Sequence, residues 1–237
     1  MRKTIVAVIG FGMLIGIVGV LHARATFATR LPNLRVLPAS DLVLETRADG
    51  GTYLRFAMTS WNAGEGLLEL RGGETDPVAE RQRVYQRIYE TNGRFIDVFA
   101  GSFVWHEEHN HVHFDDYANY ILQAVDATGN SDRLSQKTTF CIIDNTKVNL
   151  KLKGAPKKAK YTTCAFQVQG LSVGWGDTYR NTRPGQEFDV TGLPSGDYDL
   201  IIEVDPKERI TELDDSDNTS VLRVRLNFEA GTVVILS

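Results

Sequence analysis

The sequence has no low-complexity tract, no internal repeat, no linker and no surplus of positive charge. Without repeats a solenoid is excluded, and without a linker the 237 residues read as one folded unit, long enough to bury a full hydrophobic core. The 26 lysines and arginines are outnumbered by 30 aspartates and glutamates, which excludes nucleic acid as the main partner. One basic stretch does exist, with Lys147, Lys151, Lys153, Lys157, Lys158 and Lys160 around Gly154 and Pro156. It has no interleaved aromatics and reads as a solvated hairpin loop. Helical periodicity is scarce after residue 30, and cysteine is nearly absent, with Cys141 and Cys164 alone. Histidine is rare too, yet four of the five fall within eight residues.

The start of the chain is different in kind. Arg2 and Lys3 precede an apolar run over residues 5–21 and then Ala23-Arg24-Ala25, a pattern suited to signal peptidase. Residues 1–25 therefore read as an export signal, with a retained anchor through residues 5–21 as the alternative. Gly10, Gly12, Gly16 and Gly19 weaken the run as a stable helix and favour cleavage. Either way the domain, taken as residues 30–237, is expected outside the cytoplasm. Without residues 1–25 the chain keeps 23 basic and 30 acidic residues. An oxidising compartment also predicts that Cys141 and Cys164 pair, which would close a loop worth roughly 3 kcal/mol. Two separately buried thiols are the alternative.

From residue 30 onward the polarity pattern has period two. Strands are predicted over 53–58, 82–90, 117–125, 187–191, 198–205 and 220–228. Turn chemistry separates them at Asn62-Ala63-Gly64, Gly72-Gly73, Asn92-Gly93, Gly129-Asn130 and Pro194-Ser195-Gly196. The pattern predicts an all-β, antiparallel β-sandwich with long loops and little helix. Residues 72–81 and 145–160 are expected to be irregular surface connections.

The histidines lie in Trp105-His106-Glu107-Glu108-His109-Asn110-His111-Val112-His113. On an extended strand, positions i, i+2 and i+4 share a face, so His109, His111 and His113 can converge on one ion after a modest bend. His106 has the opposite parity and needs a turn to join them. Imidazole suits copper, zinc, iron and nickel, so the segment reads as a transition-metal site. Spacing leaves the metal open. Three histidines with an open position also describe a zinc hydrolase with Glu107 or Glu108 as general base.

Further motifs follow in order: Lys137-Thr138-Thr139-Phe140-Cys141, Gln169-Gly170-Leu171-Ser172, Gly176-Asp177-Thr178-Tyr179, Gly196-Asp197-Tyr198 and Val204-Asp205-Pro206. Together with the histidine segment and Leu31-Pro32-Asn33-Leu34, they resemble the catalytic domain of the lysyl oxidase family over about residues 100–226. That family comprises copper-dependent amine oxidases with a lysine tyrosylquinone cofactor. The resemblance implies copper at His109, His111 and His113, with His106 at the edge of the site. It places Lys137 and Tyr179 where the family has the two residues that become the quinone. It further implies oxidative deamination of primary amines, foremost lysine side chains of proteins. Molecular oxygen is the oxidant, and aldehyde, hydrogen peroxide and ammonia are the products. Some positions depart from the family. Glu108 and Lys147 stand where vertebrate members have cysteine, and Asn119 stands where a histidine sometimes proposed as base is found. The proton acceptor is therefore unassigned. Asp115 and Asp116 are near, but read as solvated or hydrogen-bonded strand residues.

The run Glu212-Leu213-Asp214-Asp215-Ser216-Asp217-Asn218 offers hard oxygen donors on a tight loop, which suits calcium or simply a solvated turn. By the same resemblance, Glu212, Asp214, Asp217 and Asn218 would hold calcium together with Asn33 and the carbonyl of Leu34. Asn218-Thr219-Ser220 also fits a glycosylation sequon. Besides the oxidase, two other readings stay open: a non-enzymatic extracytoplasmic copper-binding, calcium-stabilised interaction module, and the zinc hydrolase.

Overall fold

A computed structural model of the chain describes residues 27–76, 80–107, 110–126 and 132–236. The expected export segment, Glu108, His109 and the Gly129-Asn130 turn lie outside the described residues. Among the described residues there is no α-helix, and so none long and apolar enough to cross a membrane. Strands dominate, and every named strand pair is antiparallel, as the period-two pattern requires.

Three sheets share one core. The first runs β12 (Val168–Leu171), β5 (Leu68–Asp76), β6 (Arg81–Glu90), β7 (Phe95–His106) and β8 (His111–Phe114), with β1 (Thr29–Arg30) pairing the far end of β6. The second runs β10 (Arg133–Leu134), β9 (Ala118–Ala124), β15 (Gly196–Val204), β16 (Thr219–Asn227) and β17 (Thr232–Ile235). The third is built on the long β4 (Thr52–Asn62). It takes β2 (Leu34–Val36), β3 (Ser40–Thr46), β13 (Trp175–Tyr179) and β14 (Glu187–Asp189), with β11 (Thr146–Lys147) outside β13.

Alternation explains the layering. In β15, Tyr198, Leu200, Ile202 and Val204 are buried, while Asp197 and Asp199 face out and meet Arg225 and Arg223 directly across in β16. Such cross-strand pairs fix register, because a one-residue slip would turn the apolar set to solvent. Aromatic rings fill the centre, with Phe56 packed on Tyr120 and Phe188, and Phe140 packed on Tyr117 and Tyr120.

The connection expected over 72–81 is mostly strand. Gly72 to Asp76 continue β5 through a bulge, and β6 resumes at Arg81. The glycines there admit a neighbour instead of marking a turn. A Cβ on Gly72 would lie 2.0 Å from the Phe166 carbonyl oxygen, and the Gly72 N–H donates to the Gln167 carbonyl at 3.2 Å. The expectation for 145–160 holds apart from the two residues of β11. Its far end is pinned, since Lys160 Nζ and the Tyr161 hydroxyl both donate to the buried Glu69 carboxylate, at 2.9 and 2.7 Å.

Candidate functional site

The β7–β8 hairpin brings its histidines together. In the ladder His106 stands opposite His111, so a residue of the wrong parity along one strand reaches the cluster from the other. Asn110 takes the tight turn with φ 53°, a left-handed value that asparagine tolerates. His111 and His113 share one face of β8, and their Nε2 atoms approach to 2.9 Å. The His113 ring lies 4.7 Å from that of His106 and 4.9 Å from that of His111, centre to centre. His113 Nδ1 stands 3.2 Å from the Thr139 hydroxyl, which fixes the ring with Nε2 turned to the cluster. His106, His111 and His113 therefore offer converging imidazole nitrogens, donors suited to copper, zinc or nickel.

The segment after β10 is laid along this hairpin. Phe114 and Phe140 exchange both backbone hydrogen bonds, at 2.7 and 3.1 Å, and Tyr117 N–H donates to the Thr138 carbonyl at 2.9 Å. Lys137 is thereby carried to the histidines from one side while β13 delivers Tyr179 from the other. The Tyr179 phenol is clamped by one residue: it accepts from Cys141 N–H at 2.7 Å and donates to the Cys141 carbonyl at 2.9 Å. Cys141 is itself held by its disulfide to Cys164, the pairing expected from the sequence. Lys137 Nζ sits over two rings, 4.9 Å from the centre of Phe140 and 5.1 Å from that of Tyr179. Behind Lys137, Gly185 has φ +74°, and a Cβ there would come within 3.3 Å of the Lys137 Cβ.

Burial sets the protonation of this group. It lowers the proton affinity of the Lys137 amine, helped by the charge of Arg183 and opposed by Asp177. Burial also pushes the Tyr179 phenol well above the usual tyrosine range. Asp177, 1% exposed, is pushed well above the carboxylate range by the same cause, although Ile143 N–H and the Asn145 amide donate to it. A cavity of about 290 Å³ is lined by His111, His113, Lys137, Asp177, Tyr179 and Arg183. At roughly 30 Å³ per liquid water, that is room for an extended alkylamine.

Other residues singled out from the sequence fall as follows. Glu107 is exposed at the end of β7. Asp115 pairs with Arg81, and Asp116 with Lys207 and Arg209, so both are committed to ion pairs. Asp177 and Arg183 carried no role in the sequence reading. Asp177 stood inside a quoted motif, whereas a lone loop arginine gives no signal.

A second cluster lies where β2 meets the connection from β15 to β16. Glu212 accepts from Leu34 N–H at 2.5 Å and from the Asn218 amide at 2.9 Å. Carboxylate oxygens of Asp205, Glu212 and Asp215 lie within 4.8 Å of one another. Burial raises Asp205 to about 6 and Glu212 to about 7. Asn33 Oδ1 and Asn218 Oδ1 are buried with no hydrogen-bond partner among the described residues. Of the remaining sequence candidates, Asp214 caps a short 3-10 turn through Ser216, and Asp217 accepts from Asn33 and pairs with Arg35. Asp205 and Asp215 were not singled out from the sequence. Asp205 is displaced from the run, with φ 50° just past β15.

These features define a class first: an antiparallel β domain in which an imidazole cluster faces a half-buried lysine lying over a clamped tyrosine. The lysyl oxidase family model matches residues 86–236, more than half of the sequence and all of this cluster, and the chain belongs to the lysyl oxidase family. It is 27% identical to human lysyl oxidase homolog 2 over 197 residues, 79% of this chain and 24% of the relative. Human lysyl oxidase homolog 1 is 34% identical over 125 residues, 52% of this chain and 20% of the relative. Zebrafish lysyl oxidase homolog 3A is 33% identical over 118 residues, 49% and 15% respectively. The chain thus spans about a quarter or less of the length of these curated relatives.

Proposed function

We propose that the chain is a copper-dependent oxidase of primary amines acting outside the cytoplasm, with His106, His109, His111 and His113 around the metal and Lys137 and Tyr179 as precursors of its quinone. The observation that carries this reading is Lys137 Nζ over the Tyr179 ring at 5.1 Å, beside three converging imidazoles. The donor set fits: neutral nitrogens converge, and Thr139 orients His113 from behind. Bound copper and the Lys137–Tyr179 quinone would supply the oxidising chemistry that converts a primary amine and oxygen to aldehyde, ammonia and hydrogen peroxide.

The protein's own residues prepare that chemistry. Burial keeps more of the Lys137 amine uncharged, the form that would add to a Tyr179 ring carbon after copper and oxygen had oxidised that ring. The Cys141 backbone holds the phenol oxygen in place, so the ring is held steady beneath the Lys137 amine. Asp177 is the carboxyl group lining the cavity among the described residues; its raised proton affinity makes the ionised form a stronger base, and we assign that form the proton that the substrate carbon must lose. A zinc hydrolase would leave the lysine over a clamped tyrosine without a task.

In the test, the copper-loaded chain is given oxygen and a lysine-containing peptide, and aldehyde and peroxide are counted. One aldehyde per peroxide is expected from the wild type and none from Lys137→Ala. Absence of both products from the wild type with copper bound overturns the reading.

The reading includes calcium at the second site, held by Glu212 with Asn33 and Asn218 and, in this geometry, Asp205 and Asp215. Support comes from the two buried amide oxygens without partners beside three crowded carboxyls.

A further inference from the structure

The cavity over Lys137 and Tyr179 opens beside a second hollow, and Arg183 lines both. Arg180, Asn145, Thr146 and Thr178 complete the polar wall of the second hollow. Both arginines are exposed, and neither guanidinium has an acid partner or hydrogen bond among the described residues. That sets them apart from Arg47, Arg55, Arg71, Arg81, Arg87 and Arg209, which are paired with carboxylates.

The turn that carries them is held firmly. Arg183 N–H donates to the Arg180 carbonyl at 2.9 Å, and Arg55 donates to the carbonyls of Asn181 and Arg183 at 2.6 and 2.9 Å. The Asn181 amide donates to the Asp41 carbonyl at 2.7 Å. The backbone is pinned while two charged forks are left open beside the cavity. An anionic group there would find two guanidiniums, forks matched to carboxylate geometry, above a wall whose Asn145, Thr146 and Thr178 groups are already bonded to one another and to Asp177. Arg183 is also near enough to act on the charge of Lys137. A bare ammonium therefore enters against like charge, whereas an amine that brings its own anion does not.

We propose that Arg180 and Arg183 form an anion-recognition subsite at the mouth of the Lys137–Tyr179 cavity, selecting amines that carry a nearby carboxylate. The foremost candidate is a lysine side chain next to an acidic residue. The inference rests on the amine-oxidase reading and narrows its substrate class, away from lysines in basic surroundings.

The copper-loaded full chain is to be assayed on three peptides, each with one lysine flanked by aspartate, glutamine or arginine, and on hexylamine against 6-aminohexanoate. The subsite predicts about tenfold higher kcat/KM for the aspartate peptide than for the arginine peptide, carried mainly by KM and reduced at high salt. Arg183→Glu is expected to reverse the order, and Arg183→Gln to level it. A preference for 6-aminohexanoate without any preference among peptides supports the subsite and assigns it to small carboxylated amines. Equal kcat/KM across the whole set overturns the subsite and leaves the oxidase reading intact. If no amine is oxidised, the oxidase reading fails, and copper-free protein decides the subsite. The aspartate peptide, titrated in, should shift the NMR signals of the Arg180 and Arg183 side chains while the arginine peptide does not. Absence of any shift overturns it.

Discussion

At the scale of single residues, Lys137 takes its meaning from what is packed around it. Its amine lies over two aromatic rings, and its stem runs past Gly185, where an added Cβ would come within 3.3 Å of it. Replacing Gly185 with alanine forces a left-handed conformation on a side-chain-bearing residue, at a cost of about 1–2 kcal/mol. It also drives a methyl group against the Lys137 stem. Gly185→Ala is expected to lower urea stability by that amount and to cut the phenylhydrazine adduct formed per bound copper severalfold. An unchanged adduct yield per copper would show that Gly185 does not position the lysine. The histidine cluster was legible in the sequence because histidine is rare and four of them bunch. Lys137 and Tyr179 were legible through motif order alone, since exposed lysines and half-buried tyrosines are common in any β domain. Arg183 carried no signal at all, because the role proposed for it rests on its having no acid partner among the described residues.

At the scale of elements, the hairpin between β7 and β8 explains why parity misleads for His106. Alternation along one strand puts it on the wrong face, but the antiparallel register sets it opposite His111. The strand content of 72–81 is hidden in the sequence for a related reason: paired glycines read as a turn, whereas here they admit the close passage of the Phe166–Gln167 backbone. The second cluster joins the start of β2 to the connection entering β16, elements 178 residues apart in sequence at the Leu34–Glu212 bond. A bound calcium would staple them. Calcium at about a hundred times its dissociation constant should add about 2.7 kcal/mol, and hence raise Tm by roughly 5–10 °C. Asn218→Ala should abolish that shift, as measured by calorimetry with and without calcium. An equal shift in the variant would remove Asn218 from the site.

For the whole molecule, charge is unevenly arranged. The sequence is net acidic, with 30 aspartates and glutamates against 26 lysines and arginines, yet the mouth of the cavity carries two arginines that have no acid partner among the described residues. Net charge describes the whole surface and says little about one opening. Acid stability is a property of the same kind. Burial alone would raise Glu69, but hydrogen bonds from Lys160, Tyr161, Tyr89 and Arg71 override it and hold the carboxyl at about 2, against an ordinary 4.5. Because the folded value is the lower one, this stabilisation is present above pH 4.5 and is lost as pH falls toward 2. It amounts to about 3 kcal/mol at most. Urea unfolding of Glu69→Gln should show a deficit of that order at pH 7 that closes near pH 2, and a constant deficit at both would contradict the assignment.

The central claim is that Lys137 and Tyr179 are joined in the working protein. Its most direct test is mass spectrometry of peptides from the copper- and oxygen-treated chain, with phenylhydrazine trapping the quinone. The account predicts a coloured, cross-linked peptide containing both residues, absent in Lys137→Ala and Tyr179→Phe. Recovery of both residues in separate, unmodified peptides from copper-bound wild-type protein would contradict it.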